Sequence, residues 1–161
     1  MNKKDEIYDL LVSRMVGAQY NFGQRLSVKD LVSDTGASRQ PIMAALNRLS
    51  SEGFVRIIPQ VGCEVINPSY DQIADFYIMF ERLEGLLTEL AAARRTDSQT
   101  RDLRALQARI LTIDFDEPRS AVIYCELNRA FHQLIHDMAQ SPFLDARQNS
   151  NFDMSDFFIN Q

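Results

Sequence analysis

Residues 26–65 constrain the fold more than any other stretch, because they carry helix caps and helix breakers in a regular order. Ser27 starts one short helix, and Gly36 ends it, since glycine takes a left-handed conformation at low cost. Ser38 caps another helix with Pro41 in its first turn, where a missing N–H costs little. The apolar residues expected to face inward are Val28, Leu31, Val32, Ile42, Ala45, Leu46 and Leu49.

Elements on either side complete a recognisable plan. Helical spacing of apolar residues predicts a first helix over residues 4–18, and residues 54–58 and 63–66 read as two strands joined by a turn. Three helices followed by a β-hairpin form a winged helix-turn-helix, which lays one helix into the major groove of DNA. The alternative is a helical module that binds a protein.

The second half of the chain is predicted to be entirely helical. Asn67-Pro68 forms a linker, and a long helix follows to about residue 95. Thr96 or Asp97 caps the next helix, which is expected to bury Leu103, Leu106, Ile110 and Leu111. Another helix runs from about residue 116 to Ala139 with Val122 on its apolar face, and the tail holds at most one more. The fold class is therefore mainly α, with a winged helix-turn-helix over residues 1–67 and an all-α bundle over residues 68–161.

The composition of the chain limits where the protein can act in the cell and which kinds of partner it can have. No apolar run approaches the ~18 residues of a membrane span, and no secretory signal is visible, so we expect a cytoplasmic protein without a membrane partner. Cys63 and Cys125 match no redox or metal spacing. Residues 1–66 hold eight Lys and Arg against seven Asp and Glu, whereas residues 67–161 hold nine against fifteen. This asymmetry supports two domains with two functions.

The turn and wing motifs resemble those of the GntR family of bacterial transcriptional regulators. The matching elements are Leu26-Ser27, Gly36-Ala37-Ser38-Arg39-Gln40-Pro41-Ile42, Ala45-Leu46-Asn47-Arg48-Leu49, Glu52-Gly53-Phe54-Val55 and Gly62. Residues 70–145 resemble the helical FCD-like domain of the FadR-type branch through Leu83-Glu84, Phe131-His132 and Ser141-Pro142-Phe143-Leu144. The resemblance implies a homodimer whose helical domain holds a small carboxylate effector, often over a metal ion.

The resemblance also implies which residues meet DNA. Lys29 corresponds to a basic contact on the second helix, and Ser38 and Arg39 correspond to the turn pair, in which an arginine can bridge guanine O6 and N7. Gln40 faces the same way and could read adenine. Gly62 would let the wing backbone approach DNA, and Arg48 would touch a phosphate or brace the domain. Met43 and Val61 stand where the family often has basic residues.

Asn128 and His132 lie four residues apart on one helix face, where the family usually has an aspartate and a histidine that reach a divalent metal. Imidazole and carboxylate suit Zn, Ni or Mn, but neutral asparagine is a weaker ligand. His136 is the candidate substitute for histidines that the family takes from later helices. The alternative places His136 on a solvent-facing polar surface. No cofactor is therefore assigned firmly.

Three hypotheses follow. The first is a dimeric, sequence-specific regulator, a repressor responsive to a small organic acid, because one recognition helix reads only ~4 base pairs and two half-sites are needed. The aromatic residues Phe76, Tyr77 and Phe80 would pack on the partner chain. The second is a helical interaction protein with a vestigial winged helix. An enzyme is not expected, since two histidines supply no catalytic constellation.

The helical domain is shorter than those of the family, which usually continue for two or more helices beyond the region of Pro142. We therefore expect this domain to be incomplete. Either the chain is a piece of a longer protein, or the natural protein has lost part of its pocket, or a partner chain completes the bundle.

Overall fold

The computed structural model describes residues 2–161, which contain seven helices and three short strands. The chain divides into two compact units. The first holds the residues up to Tyr77 together with Ser150–Gln161, and the second holds Ile78–Asn149. The predicted fold class, a winged helix-turn-helix followed by a helical domain, is confirmed. No helix within residues 2–161 has the length and apolar character needed to cross a membrane.

The helices of the first unit begin and end close to their predicted limits. They are α1 (Lys3–Val16), α2 (Val28–Thr35) and α3 (Arg39–Ser51). The Ser27 hydroxyl accepts hydrogen bonds from the backbone N–H groups of Lys29 and Asp30, at 3.2 and 3.4 Å. Gly36 ends α2 with a left-handed φ of 65°. The predicted cap and stop of α2 are therefore confirmed.

Ser38 departs from its predicted role. Its backbone is extended and it occupies the N-cap position of α3, but its hydroxyl makes no capping hydrogen bond. An N-cap side chain bonds the N–H of the second or third helical residue, and the third residue here is Pro41, which has no N–H. The sequence therefore places the helix start correctly and the hydroxyl bond wrongly.

A three-stranded antiparallel sheet replaces the predicted hairpin. The strands are β1 (Arg25–Ser27), β2 (Val55–Ile58) and β3 (Gly62–Val65), in the order β1-β3-β2. The hairpin of β2 and β3 was predicted, whereas β1 was not. Three residues are too few to show an alternating pattern, and the partner strand of β1 lies far along the chain.

Gly62 is required by this sheet. It pairs with Ser27 across the β1–β3 ladder and has a φ of 148°, which side-chain-bearing residues rarely adopt. A Cβ atom on Gly62 would lie 2.3 Å from the carbonyl oxygen of Leu26. Gly62 is also buried. The structure thus gives a different reason for this glycine than the close approach to DNA that the sequence suggested.

The core of the first unit lies between the three helices and the sheet. The predicted inward face of α3 is confirmed, because its apolar residues are at most 2 % exposed. These residues are Ile42, Ala45, Leu46 and Leu49, and they pack with Leu11, Met15, Phe54 and Val65.

The remaining helices are α4 (Tyr70–Arg94), α5 (Asp97–Leu111), α6 (Ser120–Ala139) and α7 (Pro142–Ile159). Thr96 caps α5 in a reciprocal capping box with Gln99. The small core of the second unit consists of Leu87, Ala91, Met138 and Ala139, with half-buried leucines around it.

Burial of α5 was overestimated. Leu103, Leu106, Ile110 and Leu111 were expected to be buried, yet α5 contains no buried residue and Leu111 is 77 % exposed. On α6, Val122 is likewise 51 % exposed. Helical periodicity identifies the apolar face of a helix, but it does not show whether another layer covers that face.

The C-terminal segment (Ser150–Gln161) belongs to the core of the first unit, although the sequence placed it in the second domain. Phe157 is fully buried, and its ring centroid lies 5.2 Å from that of Phe22 and 5.9 Å from that of Phe54. The Asn160 side chain donates to the Val16 carbonyl at 2.8 Å. The predicted boundary at residue 67 therefore differs from the compact units.

Two aromatic residues expected to meet a partner chain also pack on this segment. The ring of Phe76 lies 5.1 Å from that of Phe158, and the Tyr77 hydroxyl lies 3.3 Å from that of Ser155. This apolar surface is therefore covered in part by the chain itself.

Candidate functional site

Four of the predicted DNA-reading residues lie at the N-terminal turns of α2 and α3. Lys29, Ser38, Arg39 and Gln40 are all exposed. Within residues 2–161, the side chains of Lys29, Arg39 and Gln40 make no hydrogen bond or ion pair. No side chain caps the first turn of α3, so its backbone N–H groups can meet an anion. We call these four residues the recognition edge.

Hydrogen bonds and an ion pair hold the turn between α2 and α3. The Thr35 hydroxyl donates to the Leu31 carbonyl at 2.7 Å and accepts from the Ala37 N–H at 3.3 Å. Ala37 itself is buried. Arg14 of α1 bonds the Tyr20 hydroxyl at 3.0 Å and forms an ion pair with Asp34 at the end of α2. Helix α2 is thus anchored at its C-terminal end, and the turn that leads into α3 is supported.

Arg48 is engaged inside the first unit. Its Nε donates to Glu52 at 3.0 Å, and its guanidinium lies over the Tyr8 ring. The Tyr8 hydroxyl donates to the same carboxylate, and burial together with Glu52 raises the pKa of Tyr8 far above its usual value. Of the two roles considered for Arg48, bracing of α1 against α3 is the one that these contacts support.

The outer face of the sheet carries two basic residues that the site prediction did not include. Glu64 forms ion pairs with Arg56 at 3.0 Å and with Arg25 at 3.6 Å, and both arginines are about three-quarters exposed. Register places both opposite Glu64 in the ladders. Arg25 was missed because β1 itself was not recognised.

A polar cluster lies in the second unit, and we call Glu84, His132, His136 and Asp145 the His136 cluster. The two Glu84 oxygens contact His132 Nδ1 at 2.6 Å and His136 Nε2 at 2.9 Å. His136 Nδ1 lies 3.2 Å from Asp145 Oδ1. His136 is only 2 % exposed, so the solvent-facing interpretation of this residue is wrong.

Two members of the cluster, Glu84 and His136, have pKa values shifted toward their ionised forms. Burial alone raises the pKa of Glu84, but the hydrogen bonds and charges of His132 and His136 outweigh it and bring the pKa to about 2. Burial alone lowers the pKa of His136, but Glu84 and then Asp145 outweigh it and raise that pKa.

Asn128 is not brought into this cluster. It is half-buried one turn before His132, and its side chain makes no hydrogen bond within residues 2–161. Glu84 and Asp145 were not among the predicted site residues. A single carboxylate inside the apolar stripe of α4, between Leu83 and Leu87, was the signal that could have identified Glu84.

Two family models match the chain. The model described as "Bacterial regulatory proteins, gntR family" matches residues 3–65, and the model described as "FCD domain" matches residues 75–157. Together they cover the winged helix and most of the helical region.

Curated relatives are similar over most of this chain. The "HTH-type transcriptional repressor RspR" of Escherichia coli (strain K12) is 29% identical over 83% of this chain and 58% of its own length. The "Nta operon transcriptional regulator" of Aminobacter aminovorans is 28% identical over 78% of this chain and 60% of its own length. The chain thus spans about three-fifths of these relatives.

Solved structures share the fold. The protein titled "E. coli McbR/YncC" has a TM-score of 0.73 at 21% identity, over 96% of this chain and 72% of that one. A putative transcriptional regulator GntR from Rhodococcus sp. RHA1 has a TM-score of 0.70 at 18% identity, over 99% of this chain and 75% of that one.

Proposed function

The chain belongs to the gntR family of bacterial regulatory proteins and carries an FCD domain, and from this premise we propose that it is a sequence-specific DNA-binding transcriptional regulator. The observation that carries the proposal is the recognition edge. Its cationic and amide side chains are exposed and make no hydrogen bond or ion pair within residues 2–161, and no side chain caps the start of α3.

The chemistry of this edge suits a DNA groove. Arg39 would bridge guanine O6 and N7 with two hydrogen bonds, and Gln40 would bond adenine, whereas Lys29 would neutralise a phosphate. The Ser38 hydroxyl, which Pro41 leaves without its usual capping partner, would also bond a phosphate oxygen. These roles divide the edge into residues that read bases and residues that bind the backbone.

Binding by a homodimer is part of the proposal. A single recognition helix reads too few base pairs to select one site in a genome, so two copies on a palindromic operator are needed. Repression is the direction of control that the name of one curated relative supports. Because the operator lies on bacterial DNA, we place the protein in the cytoplasm, and we assign it no enzymatic activity.

The helical unit would supply regulation. The match to the FCD model supports an effector-responsive domain, and a small organic acid is the effector class that the resemblance implies. Binding of such a ligand would change operator affinity by favouring one arrangement of the dimer.

Selection from random double-stranded oligonucleotides, followed by fluorescence anisotropy on the selected sequence, tests the proposal. We expect one preferred half-site in two copies, and we expect Arg39→Ala to weaken binding by about 10- to 100-fold per half-site while leaving the melting temperature unchanged. Arg101→Ala, an exposed arginine on α5, is the matched control and should bind normally.

Failure to enrich any sequence would overturn the proposal. That result would favour the helical interaction protein instead, for which the exposed apolar side chains of the second unit, such as Leu111 and Phe115, offer a surface. Equal affinity of wild type and Arg39→Ala for an enriched sequence would overturn the assignment of Arg39.

A further inference from the structure

The His136 cluster bears on whether the helical unit holds a divalent metal, as the resemblance implies. A histidine ligates a metal through a ring nitrogen that carries no proton and offers its lone pair. The contacts that each ring nitrogen makes therefore decide whether it can be a ligand.

Both ring nitrogens of His136 are in contact with carboxylate oxygens. Nε2 lies 2.9 Å from a Glu84 oxygen and Nδ1 lies 3.2 Å from an Asp145 oxygen. A metal at either nitrogen would have to break one of these contacts.

The other members of the cluster are also committed. Each carboxylate oxygen of Glu84 contacts one of the two histidines. The Asp145 oxygen that faces His136 also accepts from Gln133 at 3.1 Å and from Asn149 at 2.9 Å. These bonds join residues of α4, α6 and α7 within the second unit. A metal would have to displace several of them.

What remains does not form a metal site. Asn128 offers a neutral amide oxygen, which is a weak ligand beside imidazole for Zn, Ni or Mn. In the part of the chain that the structure describes, no group of three or more His, Cys, Asp or Glu side chains is placed to hold a metal ion. The residues present therefore do not fit the implied metal.

We propose that residues 78–149 hold no divalent metal by themselves, and that the contacts of His136 with Glu84 and Asp145 serve there as a structural anchor. The inference stands whether or not the chain binds DNA.

Metal measurements on the wild-type chain, purified without a histidine tag, test the proposal directly. We expect sub-stoichiometric metal by mass spectrometry, the same melting temperature with and without EDTA, and no heat above dilution on titration with Zn²⁺, Ni²⁺ or Mn²⁺. One metal per chain, removed by EDTA with a fall in melting temperature, would overturn the proposal.

Variants test the anchor itself. Glu84→Gln removes the shared charge and should lower the melting temperature by about 5–10 °C, equally in EDTA and in Zn²⁺. Glu89→Gln, an exposed residue of the same helix, is the matched control and should melt like the wild type. An unchanged melting temperature for Glu84→Gln would contradict the anchor. The wild-type metal measurements decide the question even if Glu84→Gln fails to fold.

Discussion

The guanidinium carbon of Arg48 lies 3.5 Å from the centroid of the Tyr8 ring, which places a cation of α3 on an aromatic face of α1. Glu52 completes the arrangement by accepting from both residues. The three side chains therefore join the helix that carries the recognition edge to the helix behind it. This arrangement separates bracing from the proposed base reading on the same helix, because Arg39 lies at its other end.

Replacing Arg48 should consequently affect stability more than sequence preference. Arg48→Ala loses a half-exposed cation–π contact and an ion pair, which together are worth about 1 kcal/mol. Urea unfolding should show that loss, while the oligonucleotide selected by the wild type should remain the preferred one. A changed preferred sequence at unchanged stability would show that Arg48 reads bases after all.

Phe157→Ala should destabilise the first unit strongly. The ring is fully buried between Phe22 and Phe54, and truncating a buried phenylalanine costs about 3–5 kcal/mol. Urea unfolding followed by circular dichroism measures the loss. Phe143→Ala on the same helix is the control, because Phe143 is 72 % exposed. Equal effects of the two substitutions would argue against the packing of the C-terminal segment.

Two glycines should respond in opposite directions to the same substitution. Gly62→Ala would place a methyl group against the Leu26 carbonyl at a φ that alanine rarely adopts, so we expect a loss of about 2–4 kcal/mol. Gly85→Ala meets no atom within 4 Å inside α4 and should gain about 0.5–1 kcal/mol. Thermal unfolding of the two variants and the wild type measures both changes in stability. A neutral Gly62→Ala would contradict the β1–β3 pairing.

The two cysteines should differ in reactivity. Burial raises the pKa of the Cys63 thiol to about 11, whereas Cys125 is exposed. Because the thiolate is the reactive form, an aromatic disulfide reagent at pH 8 should label Cys125 rapidly and Cys63 only on unfolding. Raising the pH to 9 should not change this pattern, since Cys63 stays protonated. Rapid labelling of two thiols in the wild type, or of Cys63 in the Cys125→Ser variant, would contradict the burial of Cys63.

Local signals were sufficient for much of the first unit. Ser27 and Gly36 act on their immediate neighbours, so the limits of α2 could be predicted from adjacent residues. The inward face of α3 likewise follows from its spacing. Pro41 was a local sign against the capping bond of Ser38, because it removes one of the two N–H groups that this hydroxyl could bond.

The failures share a physical cause, which is dependence on residues distant in the chain. β1 exists because β3 offers it a partner, and Gly62 is required because β1 is there. Phe157 finds its place only once Phe22 and Phe54 have been brought together. In the second unit, the two ring nitrogens of His136 are occupied by carboxylates from two other helices, which the spacing along α6 cannot show.

The burial of Phe157 has a consequence for how this molecule is made. The core of the first unit contains Phe157, so it cannot be completed while only the first 77 residues have emerged from the ribosome. Until then Phe54 lacks this packing partner. Exchange of DNA-reading specificity with a relative would accordingly require two separate stretches to be transplanted together.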